Sequence, residues 1–180
     1  MLTDSDKKLL LATARKAIES AVFHRKNPPE AEMPASLSEP CGAFVTISIK
    51  GELRGCIGYL TATLPLIETV RDVAVKAATS DPRFPPLSRE ECSEIDIEIS
   101  VLSPLKQIQD IGEIQVGTHG ILIESAWARG VLLPQVAVEY SWNREEFLRQ
   151  TSIKAGGPSD LWKKPGAKIY IFSAEIITEE

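Results

Sequence analysis

The stretch IDIEISVL, Ile95 to Leu102, constrains the fold more than any other part of this chain. Side chains alternate across a strand, so Ile95, Ile97, Ile99 and Val101 share one face while Asp96, Glu98 and Ser100 share the other. A strand patterned in this way requires a sheet that is covered on one side. A second alternation runs from Ala43 to Ile49, with Val45, Ile47 and Ile49 set against Phe44, Thr46 and Ser48, and a turn around Gly51 leads into Leu53 to Tyr59. This pattern predicts a hairpin. A three-residue loop, Lys50-Gly51-Glu52, pairs Ile49 with Leu53, Ile47 with Gly55 and Val45 with Ile57, which keeps the apolar side chains on one face. A two-residue loop, Lys50-Gly51, suits hairpin turn chemistry at its second position but sets Ile47 against Arg54 and Val45 against Cys56. The first register is the expected one. It places Arg54, Cys56 and Gly58 on the polar face beside Thr46 and Ser48, and it predicts that Val45, Ile47, Ile57, Ile97 and Ile99 are buried together.

Helical periodicity supplies the cover. From Thr3 to Phe23 the residues Leu10, Ala14, Ile18, Ala21 and Val22 recur every three or four positions, with Thr3 or Ser5 as cap, and this helix ends before Asn27. The segment 27–40, NPPEAEMPASLSEP, holds four prolines and is expected to be an extended surface connection. Leu66, Val70, Val73, Ala74 and Ala77 predict a second helix over Pro65 to Thr79, stopped by Asp81-Pro82. Further strands are expected at Ile121 to Glu124, Gly130 to Leu133 and Lys168 to Ile177, with a helix from Asn143 to about Ile153 capped by Asn143. Helices and strands alternate too irregularly for a doubly wound sheet. The expected class is α+β, a mostly antiparallel sheet flanked by helices.

Several function classes are disfavoured by composition. The net charge is −5 over 180 residues, aromatics make up 6%, and basic residues are scattered apart from Lys163, Lys164 and Lys168, so no nucleic-acid surface is expected. No apolar run approaches the roughly 20 residues that span a bilayer, and MLTDSDKK contains no signal-peptide core. The expectation is a cytoplasmic protein without a membrane partner. Cys41, Cys56 and Cys92 are widely spaced with no C-x-x-C, which fits free thiols rather than a disulfide framework or a metal site. No cofactor and no metal are expected.

Among the thiols, Cys56 stands apart. It follows Arg54 by two residues, a cationic neighbour favours the thiolate, and the flanking Gly55 and Gly58 would leave the backbone open to a ligand. The alternative is a packed, inert cysteine, with the glycines marking a bulge or a crossing of another backbone. Cys41 and Cys92 lack such a setting. Arg83, held between prolines in DPRFPP, is a candidate for binding a carboxylate or phosphate, against a structural salt bridge. His119 is a candidate base for Cys56, against a surface histidine. Lys154 is a candidate ligand residue, against a charge at a helix C-terminus. Glu98 and Asp96 read first as solvated, with metal or acid/base service as the second reading.

The segments GAFVT at 42–46 and LRGCIG at 53–58 resemble the signature of the AMMECR family, named for a chromosomal region associated with Alport syndrome and midface hypoplasia. The resemblance continues through DPRFPPL at 81–87, EISVLSP at 98–104, HGI at 119–121, LLPQVA at 132–137 and KAG at 154–156. It implies a single α+β domain over residues 1–180, divided into a larger and a smaller subdomain, with LRGCIG near a cleft between them. Prokaryotic members are encoded beside, or fused to, Memo-type and radical S-adenosylmethionine proteins, which implies such partners and a shared modification pathway. The expected role is an enzyme or substrate-handling component in which Cys56 and Arg54 act on a small anionic molecule, with a non-catalytic interaction module as the alternative. One position departs from the family, where cysteine often precedes the residue equivalent to Ile153. Ser152 stands there in this chain, which counts against a mechanism pairing two thiols.

Overall fold

The structure is a computed structural model that describes residues 2–25, 34–61 and 63–179. The chain divides into two compact units, one comprising the residues up to Leu102 with the segment from Glu175 onward, the other Ser103–Ala174.

The first unit opens with α1 (Asp4–Val22). Thr3 and Asp6 form a reciprocal capping box, in which the Thr3 hydroxyl accepts from the Asp6 N–H and the Asp6 carboxylate accepts from the Thr3 N–H. That carboxylate also accepts from the Ser36 hydroxyl at 2.7 Å. Residues 27–33 of the proline-rich connection lie outside the described residues. Its described remainder is not purely a surface tether: Ala35–Leu37 forms one short 3₁₀ turn, and Leu37 is fully buried. An apolar side chain in a proline-rich segment anchors it wherever burial repays the ordering.

Strands β1 (Ala43–Ile49), β2 (Glu52–Tyr59) and β3 (Ile95–Leu102) form an antiparallel sheet with β1 in the centre. Helix α2 (Leu66–Thr79) lies between β2 and β3 in the sequence and packs with α1 over one face. Leu10, Ala14 and Ile18 of α1, Val70, Val73 and Ala74 of α2, and Val45, Ile47, Ile97 and Ile99 of the sheet belong to one buried core. Ile57 is only partly buried against it.

The hairpin combines the two registers considered above. Ile47 faces Gly55, Thr46 faces Cys56 and Val45 faces Ile57, as the three-residue loop requires. The turn itself is Lys50-Gly51, with φ of 54° and 81°, and Ile49 faces Glu52 while Ser48 faces Leu53. Two positive φ values give the tight turn whose twist matches the strands. Arg54 is then an extra residue, a bulge between the Ile47–Gly55 and Ser48–Leu53 pairs, which restores the inward register beyond it. The expectation that Leu53 faces inward beside Ile49 is corrected: Leu53 is 45% exposed, because it lies on the turn side of the bulge.

The second unit contains β4 (Lys106–Ile108), β5 (His119–Glu124), β6 (Arg129–Leu132) and most of β7 (Lys168–Thr178), all pairing antiparallel in the order β4-β7-β5-β6. Helix α3 (Pro134–Glu139) starts with proline in its first turn, and α4 (Arg144–Lys154) is capped by Asn143, whose side chain accepts from the Glu146 N–H. Phe147 and Leu148 of α4 join Ile121, Ile123, Ile169 and Ile171 in a separate core. Both units are α+β, as expected, and every pairing named here is antiparallel. No helix among the described residues is long and apolar enough to cross a membrane.

Candidate functional site

Cys56 sits on β2, the outer strand of the first unit's hairpin. The backbone polar groups that an outer strand would present to solvent are met here by a loop. The Cys56 N–H donates to Asp81 Oδ2 at 2.9 Å, and the Cys56 carbonyl accepts from Arg83 Nη2 at 3.3 Å. Arg83 in turn holds Asp81 through two bonds, Nε to Oδ1 at 3.0 Å and Nη2 to Oδ2 at 2.7 Å. The Asp81–Arg83 pair thus occupies both main-chain groups of Cys56, as a neighbouring strand would. The Arg83 guanidinium and two N–H donors hold the Asp81 carboxyl well below the usual carboxylate range.

Arg54 is committed in a similar way. Its Nε and Nη2 bind the Glu91 carboxylate at 2.7 and 3.0 Å, and its Nη1 donates to the Pro85 carbonyl at 2.9 Å. Ser88 N–H adds a third donor to Glu91, and Arg54 together with that amide lowers the Glu91 pKa to about 2. Both arginines lie over the Phe84 ring, at 5.9 and 5.5 Å from its centroid. LRGCIG and DPRFPPL, far apart in the chain, are therefore joined through the Cys56 main chain, which meets Asp81 and Arg83, and through Arg54, which meets the Pro85 carbonyl, while the Arg54–Glu91 pair fastens the chain just beyond. The bulge explains why Arg54 is available for this. Its side chain serves the loop instead of sitting as a free cation beside the thiol.

The flanking glycines have specific neighbours. A Cβ on Gly55 would lie 2.3 Å from the Ala77 carbonyl oxygen of α2, and one on Gly58 would lie 2.2 Å from the Phe44 ring. They admit a helix backbone and an aromatic ring, so the space beside them is filled by the protein itself.

On the face opposite the core, three side chains line up across three strands. Thr46 is opposite Cys56 on one side and opposite Glu98 on the other. The Thr46 hydroxyl donates to Cys56 Sγ at 3.3 Å. Glu98 is half-buried, and burial pushes its carboxyl pKa up. The second reading of Glu98, service in acid/base chemistry, thereby gains an electrostatic basis, whereas Asp96 is exposed.

The remaining thiols differ from Cys56. Cys92 is buried, while the Cys41 thiol donates to the Leu102 carbonyl at 3.0 Å, and burial raises both pKa values. His119 belongs to the second unit, where its Nδ1 accepts from the Gln115 N–H at 3.2 Å. Lys154 ends α4 in the same unit. Ser152 is fully buried there, its hydroxyl donating to the Leu148 carbonyl at 2.8 Å, a helix-internal bond. Among the described residues no group of three or more His, Cys, Asp or Glu is placed to hold a metal ion. A groove of about 620 Å³ lies along α1 and the end of β7, lined by Lys7, Lys8, Leu11 and Ile176, and none of the residues singled out from the sequence borders it.

Sequence reasoning misses three participants, among them Glu91, which no local pattern marks as the partner of Arg54. Asp81 reads in the sequence only as a helix stop, although an Asp-Pro-Arg run places a carboxylate and a guanidinium two residues apart. Thr46 reads only as a polar-face residue, and its contact with the thiol depends on cross-strand register.

An antiparallel α+β protein with a half-buried thiol clamped by an aspartate–arginine loop is the class that these features define. The chain belongs to the AMMECR1 family, whose model matches residues 11–177. A protein of Methanothermobacter thermautotrophicus is 42% identical over 187 residues, covering 99% of this chain and 97% of its own. One from Thermococcus kodakarensis is 44% identical, covering 95% and 89%. The crystal structure of an uncharacterized protein from Pyrococcus horikoshii matches with a TM-score of 0.93 at 39% identity, covering 99% of this chain and 94% of that one.

Proposed function

We propose that the protein is a thiol-dependent enzyme, or the substrate-handling component of one, in which Cys56 is the reactive group and Arg83 meets an anionic part of a small substrate. The observation that carries this reading is the pinning of Cys56: both its main-chain groups are held by Asp81 and Arg83 while Thr46 donates to its sulfur. A hydroxyl donor stabilises a thiolate, and a fixed backbone keeps the nucleophile aimed. Arg83 is half-exposed, and its Nη1 makes none of the bonds that hold Asp81 and Cys56. It replaces Arg54 as the substrate cation, because Arg54 is spent on Glu91 and a proline carbonyl. The resemblance to prokaryotic family members supports work beside Memo-type and radical S-adenosylmethionine proteins in a modification pathway.

The test is alkylation with iodoacetamide, read by peptide mass spectrometry. Cys56 is expected to react at least tenfold faster than Cys41 or Cys92, and more slowly after Thr46→Val. Equal, slow alkylation of all three thiols would overturn the reading. Incubating wild type and Cys56→Ser with a metabolite extract, with and without the two partner proteins, then looks for a compound consumed only by wild type. A second reading, a non-catalytic module that binds a partner protein, is favoured by one observation: both arginines of the signature segments already serve the fold. A Cys56→Ser variant that retains function in cells would select it.

A further inference from the structure

The charges around Cys56 do not balance. Arg54 is matched by Glu91 and Arg83 by Asp81, each through two hydrogen bonds. Glu98, in the same cross-strand row as Cys56, makes no hydrogen bond or ion pair with any described residue, although it is half-buried. Two residues along β3, on the same face, Ser100 is 1% exposed and its Oγ has no hydrogen-bond partner. A fully buried hydroxyl without a partner calls for an explanation, and the half-buried Glu98 carboxylate lies unpaired on the same face of the strand. A carboxylate and a hydroxyl oxygen together accept hydrogen bonds, and the negative charge selects a cationic donor.

We infer that Glu98 and Ser100 form an ammonium-binding subsite of the Cys56 site, so that its substrate carries an amine as well as the anionic group met by Arg83. This rests on the thiol reading above. The geometry suits it: residues directly opposite on neighbouring strands have Cβ atoms about 4.5 to 5.5 Å apart, so Thr46 separates Cys56 from Glu98 by roughly 9 to 11 Å at Cβ. A substrate arm of a few atoms bridges that gap once both side chains lean inward. The ammonium compensates the one carboxylate in the row that the protein leaves unmatched.

The test uses the full chain and three methanethiosulfonates of different charge: 2-aminoethyl (cationic), methyl (neutral) and 2-sulfonatoethyl (anionic). In each reaction the Cys56 thiolate attacks the sulfenyl sulfur, a disulfide forms, and methanesulfinate leaves. At fixed pH and low salt, the aminoethyl-to-methyl rate ratio at Cys56 is expected to exceed that at Cys41 by tenfold or more. Glu98→Gln should bring it down to the Cys41 value, and Ser100→Ala should lower it by a smaller factor. The aminoethyl adduct of wild type should also melt at a higher temperature than the methyl adduct, and this difference should vanish in Glu98→Gln. A ratio at Cys56 equal to that at Cys41, or unchanged by Glu98→Gln, overturns the ammonium subsite while leaving a reactive Cys56 intact. A Cys56 that resists all three reagents overturns the thiol reading, and the subsite with it.

Discussion

The two faces of the β2-β1-β3 sheet differ in what they do with the same strands. The inner face carries Val45, Ile47, Ile97 and Ile99, all at most 2% exposed beneath α1 and α2. The outer face carries Cys56, Thr46 and Glu98, each only partly buried. Apolar burial of about 1.5 to 3 kcal/mol per side chain makes the inner face the source of stability, and its side chains offer no chemistry. The outer face contributes little to stability and holds groups whose protonation and hydrogen bonding are still available. Apolar burial and polar, solvent-reachable groups are thus sorted by the alternation of one short sheet.

Substitutions can separate the two faces. The largest effect is expected at the inner face, where Ile97→Ala should cost about 2 to 5 kcal/mol, read as a lowered urea midpoint with an unchanged slope. A midpoint that barely moves would show that this face is not the core. Gly55→Ala should follow, at about 1 to 3 kcal/mol, because its methyl would meet the Ala77 carbonyl at 2.3 Å and α2 would have to shift. An alanine variant as stable as wild type would mean that helix and strand are loosely packed there.

Arg54→Ala should destabilise by about 1.5 to 3 kcal/mol through the loss of charged hydrogen bonds to Glu91, and hydrogen exchange should rise first in residues 81–91. If Arg54 acted mainly on the thiol, Cys56 labelling would slow while stability held, the reverse of what is expected. Acid provides a milder probe of the same loop. Asp81 and Glu91 have lowered pKa values when folded, so their stabilisation is complete above the unfolded carboxylate range of about 4 and is lost as pH falls toward 2. Glu98 has a raised pKa, and its contribution has the opposite sign, lost as pH rises through that value. Replacing Glu91 by Gln should flatten the acid limb of a stability profile, and an unchanged limb would remove the loop from the account. The smallest stability change is expected for Cys56→Ser, about 0.5 kcal/mol or less, with complete loss of the fast-labelling thiol. A large stability loss would move Cys56 from the reactive face to the structural one.

Much of this was legible from residue order. The alternation of IDIEISVL identified β3 and its inner face, helical spacing identified α1 and α2, the Asn143 cap marked the start of α4, and Thr3, one of the two expected caps, is the one that caps α1. The six-residue α3 and the three-residue β4 are too short to show a period, and both were missed. The hairpin shows the limit most clearly. Turn chemistry and apolar pairing pointed to different registers, and one extra residue, Arg54, satisfied both. A bulge leaves no periodic trace, because it is by nature an interruption of the period.

What the sequence by itself determined is the α+β class, the inward residues of the first sheet and the isolation of Cys56 among the thiols, since each follows from spacing of 2 or 3.6 residues or from immediate neighbours. Only the tertiary structure decided what surrounds that thiol. Asp81, Arg83 and Glu91 reach β2 across 25 to 37 positions of chain, and Thr46 and Glu98 reach it by cross-strand register. Charge pairing of this kind depends on distance in space, and distance in sequence carries no information about it. Arg54, two residues from Cys56, is therefore claimed by a carboxylate 37 residues away, while the unmatched charge in the row comes from Glu98 on β3.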